Sequence, residues 1–203
     1  MTDLINIIHP VVFKIKDNSL VYGFLEEFEE RDKKIVCLVR AALDLGVRIL
    51  RYDSQPKRTI DWALEAGAFH NCPVYEGILF DKEITGLSLP RNAIPILDER
   101  PEEINEEVWK QFSGIVGSHS ELKEVIGNPD RSFYIGGYLE CCLMSAALYQ
   151  RRNYTLEEEI FCIEDLCPVY YPEKVKEAKR NFEASNIKVI DFKGAMELLQ
   201  ENN

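Results

Sequence analysis

A change of hydrophobic period at Gly46 restricts the fold more than any other feature of the chain. Before it, from Leu25 to Leu45, apolar residues return at helical spacing, with Leu38, Ala41, Ala42 and Leu45 at steps of three and four. Gly46 suits a helix C-terminus, where the backbone needs a left-handed residue. After it, Val47-Arg48-Ile49-Leu50-Arg51-Tyr52 reads as a strand. An earlier β-branched run, Val11-Val12-Phe13-Lys14-Ile15-Lys16, reads as another strand, ended by Asp17-Asn18-Ser19. Strand, helix, glycine, strand is a βαβ unit, which requires parallel strands and a right-handed crossover.

The alternation continues in the last third. Ser118 to Ile126 predicts a helix, closed by Gly127-Asn128-Pro129. Ser132 to Gly137 predicts a buried strand, Cys142 to Arg151 a helix, and Glu159 to Ile163 a strand. Pro172 to Ser185 predicts a helix with proline near its start. Ile187 to Ile190 and Gly194 to Gln200 supply a last strand and helix. The stretch from about 53 to 101 is irregular, with Pro56, Pro73, Pro90 and Pro95 among its breakers. Within it, Thr59 to Ala68 suggests a short helix and Val74 to Phe80 a strand. Such an insertion shapes a substrate pocket or forms an oligomer contact. The expected organisation is a single α/β domain over 1–203 with this insertion.

Composition narrows the partners. Of 203 residues, 46% are hydrophobic and 29% charged, the profile of a globular chain with a sizeable core. The formal charge of −11 opposes phosphate backbones and anionic lipids, so neither nucleic acid nor membrane is an expected partner. No apolar run approaches the roughly 20 residues that span a bilayer. Met1 to Pro10 lacks a basic start and carries Asp3, so no signal or transit peptide is expected there. The six cysteines, 37, 72, 141, 142, 162 and 167, read as reduced thiols of a cytoplasmic protein. Cys162 and Cys167 lack a second pair at zinc spacing, and His9, His70 and His119 are scattered, so no metal site is expected.

Ligands of parallel sheets bind beyond the carboxyl ends of the strands. Three segments fall there: Asp17, the stretch from Gly136 to Cys142, and Glu164-Asp165. A thiol between strand and helix lies near free N–H groups that favour a thiolate and can hold an oxyanion. Cys141 and Cys142 equally suit a buried structural pair, because Cys is among the most buried residue types. Taken alone, Asp17 suits a turn or a helix cap, and Lys110 a solvated surface.

In their order, these parts resemble the isochorismatase-like cysteine hydrolases over almost the whole chain. Val11 to Ser19 resembles the family's first strand and its catalytic Asp, and Ile35 to Tyr52 its helix, glycine and second strand. Ile135-Gly136-Gly137-Tyr138-Leu139-Glu140-Cys141-Cys142-Leu143 resembles the signature Gly-x-x-Thr-x-x-Cys-Val, with Leu139 in place of Thr. Ser145-Ala146 matches the small pair that follows. The resemblance implies a three-layer α/β sandwich with a mostly parallel sheet. It implies a cofactor-free hydrolase of small-molecule C–N bonds, assembled as a homo-oligomer. The implied triad is Asp17 as base, Lys110 as charge partner and Cys142 as nucleophile, with Lys110 one residue from the usual spacing. It also implies a cis peptide between Tyr138 and Leu139, and an oxyanion hole from Tyr138, Leu139 and Cys142. Asp53 to Arg58 holds no histidine, so the family's metal-dependent nicotinamidase branch is not expected. Two other outcomes stay open: a non-catalytic module of the same fold, and a vinyl-ether hydrolase using Asp17 without the thiol.

Overall fold

The computed structural model describes residues 1–8, 13–16, 19–22, 29–53, 83–88, 119–153 and 157–201. Strands β1 (Asp3–Ile8), β4 (Arg48–Asp53), β5 (Thr85–Ser88), β6 (Arg131–Gly136), β7 (Glu159–Ile163) and β8 (Ile187–Ile190) form one sheet. Its order is β5-β4-β1-β6-β7-β8, and each neighbouring pair is parallel. Strands β2 (Phe13–Lys16) and β3 (Ser19–Tyr22) pair antiparallel in a separate two-stranded sheet.

The first strand of the parallel sheet is therefore not the expected one. Phe13–Lys16 is one arm of a hairpin, and Asp3–Ile8 takes the middle of the parallel sheet. The two sequences carry the reason. Phe-Lys-Ile-Lys alternates apolar and charged residues, a period that suits pairing with one polar face. Leu4, Ile5, Ile7 and Ile8 are wholly buried, as a strand covered on both faces must be.

Successive side chains of the sheet enter two different cores. On one face Ile5, Ile7, Ile49, Phe133, Ile135 and Phe161 meet helix α1 (Glu29–Asp44) and helix α5 (Phe192–Gln200). On the other, Leu4, Ile8, Leu50, Tyr134 and Ile160 meet α2 (His119–Ile126), α3 (Met144–Asn153) and α4 (Val175–Ala184). The result is a three-layer α/β sandwich. Helix α1 closes as expected: Gly46 has φ +68°, its N–H bonds Leu43 O at 3.0 Å, and Val47 N–H bonds Ala42 O at 2.8 Å. The irregular stretch contributes β5 as an edge strand, and its expected helix at 59–68 and strand at 74–80 lie outside the described residues. Among the described residues, no helix is long and apolar enough to cross a membrane.

One core contains a polar network. Ser132 Oγ donates to Glu158 Oε1 at 2.7 Å and accepts from Gln150 Nε2 at 2.8 Å. Gln150 also donates to Glu158, and Tyr134 donates to Gln150. Burial raises the Glu158 pKa above its ordinary value, opposed by Ser132, Arg151 and Gln150. A raised folded pKa means that the folded state binds the proton more tightly. The resulting stabilisation is full below the ordinary glutamate range and is lost as pH rises through the raised value. Urea titrations of wild type and Glu158→Gln across that window should show the wild type losing ground as pH rises. A constant difference between the two proteins would contradict this assignment.

Candidate active site

Strand order reverses between β1 and β6, and parallel sheets hold ligands beyond the carboxyl ends of the strands at such a point. Ile8 pairs with Gly136, and Gly137 N–H continues the ladder to Ile8 O at 2.8 Å. Gly136 has φ +98°, and a Cβ built there would lie 2.1 Å from Ile8 O. Only glycine lets the two strands close at this point.

The chain then turns sharply. The cis peptide lies between Gly137 and Tyr138, one bond earlier than expected. Leu139–Leu143 form a single π turn, with Leu143 N–H bonded to Tyr138 O at 3.2 Å. Cys141 departs from helical geometry inside it (φ −126°, ψ −111°), and α3 continues from Met144. Local π turns occur often at functional sites.

This turn is bound to the segment after β7. Leu139 N–H bonds Pro168 O at 3.0 Å. That bond occupies the Leu139 N–H, a donor expected in an oxyanion hole. Glu140 is 4% exposed, and its Oε1 accepts the backbone N–H groups of Tyr170 at 2.8 Å and Tyr171 at 2.6 Å. Its buried Oε2 has no hydrogen-bond partner among the described residues. The Tyr138 and Tyr170 rings meet at 5.3 Å, Tyr170 and Tyr171 at 4.6 Å, and Lys174 Nζ lies 4.6 Å from the Tyr171 ring.

Cys142 is half-buried on this turn, packed against the core that holds α3 and α4. Burial first, then the Cys141 sulfur and the Glu140 carboxylate, push its thiol up to about 11. Its own backbone N–H opposes the rise. Cys141 is raised as well, by burial and by Glu140, whose Oε1 lies 3.9 Å from its sulfur, while Lys174 pulls it down. The helix end expected to favour a thiolate is thus outweighed by burial and a neighbouring negative charge. A thiolate here needs a base or cation from another part of the chain.

Asp17 and Lys110, the expected partners, lie outside the described residues. In sequence, β1 is followed by His9 and Pro10, and Asp17 falls between the paired residues Lys16 and Ser19. The third expected edge feature has a structural role instead. Asp165 pairs with Lys34 at 2.8 Å and accepts the Phe192 N–H at the start of α5 at 2.8 Å, and Glu164 pairs with Lys179. Cys162 and Cys167 are buried, and Cys167 donates to Ile163 O at 3.1 Å. Burial and the contact with Cys162 push the Cys167 thiol well up.

Three buried charged residues at this edge escaped sequence reasoning. Arg31 and Asp32 lie in the first turn of α1 and pair with each other while buried. Glu140 was legible only as a single acid inside an otherwise apolar run from Phe133 to Leu143. Among the described residues, no three His, Cys, Asp or Glu side chains converge as a metal cluster.

No family model and no curated protein matches the sequence. Solved structures do match. An isochorismatase family protein from Desulfovibrio vulgaris is 15% identical, with a TM-score of 0.55 and 98% of each chain covered. The nicotinamidase/pyrazinamidase PncA of Bacillus subtilis is 15% identical, with a TM-score of 0.57, covering 94% of this chain and 100% of that one. A Leishmania major protein named as a candidate MAR1 ribonuclease is 12% identical, with a TM-score of 0.55, covering 98% and 83%. At these identities the likeness is one of fold, the isochorismatase-like hydrolase fold. The names attached to that fold cover more than one chemistry, so function has to be argued from the site.

Proposed function

We propose that this chain is a cysteine hydrolase that cleaves a C–N bond of a small amide-type substrate, with Cys142 as nucleophile. The supporting observation is the position of Cys142: half-buried at the start of a helix, beyond β6, where the strand order reverses. In this reading Asp17 removes the thiol proton and Lys110 balances the charge. The sulfur attacks the carbonyl carbon, and the Cys142 N–H supports the developing oxyanion. The C–N bond breaks as Asp17 returns the proton to the leaving nitrogen. Water, deprotonated by Asp17, then cleaves the thioester to release the acid and restore the thiol.

The test is the pH dependence of iodoacetamide alkylation at each cysteine of the native protein, read by peptide mass spectrometry. Burial and the neighbouring Cys141 and Glu140 push the Cys142 thiol up to about 11. If Asp17 and Lys110 activate it, wild-type Cys142 should react well below that, and Asp17→Asn and Lys110→Ala should slow it. Cys141 supplies a control in the same turn.

A second reading is a non-catalytic binding or assembly module of this fold. Its support is the same raised thiol beside the Glu140 carboxylate, the reverse of what a cysteine nucleophile needs. A Cys142 profile centred near 11, unmoved by either substitution, would favour it.

A further inference from the structure

We propose that Glu140 is a positioning residue, which clamps the segment after β7 against the nucleophile turn and so holds Cys142 in register with the sheet edge. The proposal rests on the reading of Cys142 as nucleophile, but its geometry stands apart from that reading. The turn and the segment are joined from both sides. Leu139 donates to Pro168 O at 3.0 Å, and Glu140 Oε1 accepts from Tyr170 and Tyr171 at 2.8 and 2.6 Å. The two N–H groups come from successive residues and converge on one oxygen, a compact anion-binding arrangement. Packing of Tyr138 on Tyr170 adds an apolar seam beside it.

A carboxylate this deeply buried is costly unless its bonds repay the desolvation. Its location also runs against thiol activation, since Glu140 raises both Cys141 and Cys142. An acid retained beside two thiols that it deactivates is explained by what it holds in place. Glutamine at this position keeps an oxygen for the two N–H groups and removes the charge. Alanine removes the acceptor altogether.

The two variants separate positioning from charge. Amide hydrogen exchange of the peptide spanning Pro168 to Tyr171 should speed up about tenfold or more in Glu140→Ala, and much less in Glu140→Gln. Alkylation profiles of Cys141 and Cys142 should move to lower pH in Glu140→Gln, because the charge facing both thiols is gone. In Glu140→Ala, Cys142 alkylation should also change relative to the exposed Cys37 reference, as the turn loosens. Unchanged exchange at Pro168 to Tyr171 in a folded Glu140→Ala protein would overturn the clamp. Should Glu140→Ala not fold, Glu140→Asp decides: the shorter side chain draws the acceptor away from the two N–H groups, so exchange as slow as wild type would overturn it. An inert Cys142 in wild type, indifferent to Asp17→Asn, would defeat the hydrolase reading while leaving the exchange result to judge the clamp.

Discussion

Replacing Gly136 with alanine should cost about 3 kcal/mol or more of folding stability, measured as a lower urea midpoint at unchanged slope. Two causes add. The added Cβ would stand 2.1 Å from Ile8 O, a distance that no side-chain rotation relieves because the obstructing atom is backbone. The position also has φ +98°, where an L side chain is strained. Relief requires β6 to part from β1, and β6 leads into the turn that carries Cys142. The variant should therefore also lose the native alkylation pattern at Cys142 while Cys37, on α1, keeps its own. A change within about 0.5 kcal/mol, the range of ordinary surface substitutions, would show that the close approach is not tight.

Asp3→Ala should be the other large loss, about 3–5 kcal/mol. Arg131 forks onto Asp3, Nε to Oδ1 at 2.8 Å and NH2 to Oδ2 at 2.7 Å, and NH2 also donates to Leu198 O at 2.9 Å. The two side chains are 3% and 4% exposed. Such a pair adds little over a well-packed apolar substitute, but removing one member strands a buried charge. The double variant Asp3→Ala/Arg131→Met should accordingly recover part of the loss. Urea unfolding of wild type, Asp3→Ala and the double variant checks this, and a double variant no more stable than Asp3→Ala would contradict it.

The elements that sequence reasoning identified are those with local causes. The helix before Gly46 follows from its own apolar spacing, and its end follows from a glycine that can take φ +68°. Strand β7 is found at Glu159–Ile163 as expected, and β8 at Ile187–Ile190, since each is a short apolar run between breakers. Cys142 was legible for a similar reason, as a thiol between a glycine-ended strand and a helix. The first strand of the sheet was not. Asp3 and Asn6 interrupt the apolar run of β1, and only their partners account for them: Arg131 for Asp3, and the Tyr52 hydroxyl, 3.0 Å from Asn6 Oδ1. The more regular Val11–Lys16 run drew the assignment instead, because local periodicity does not distinguish a hairpin arm from a buried parallel strand.

The sequence alone determined the α/β class, the parallel crossover and the thiol at the strand-to-helix turn, all through short-range periodicity and turn chemistry. The tertiary structure decided which strand lies at the centre, since Asp3 and Arg131 meet across 128 residues of chain. It decided that Leu139 N–H serves Pro168 and that Glu140 faces the amides of Tyr170 and Tyr171. It also reversed the expected electrostatics of Cys142. The benefit of a helix start is local and visible in sequence, whereas burial and the neighbouring carboxylate depend on how distant segments pack around the thiol.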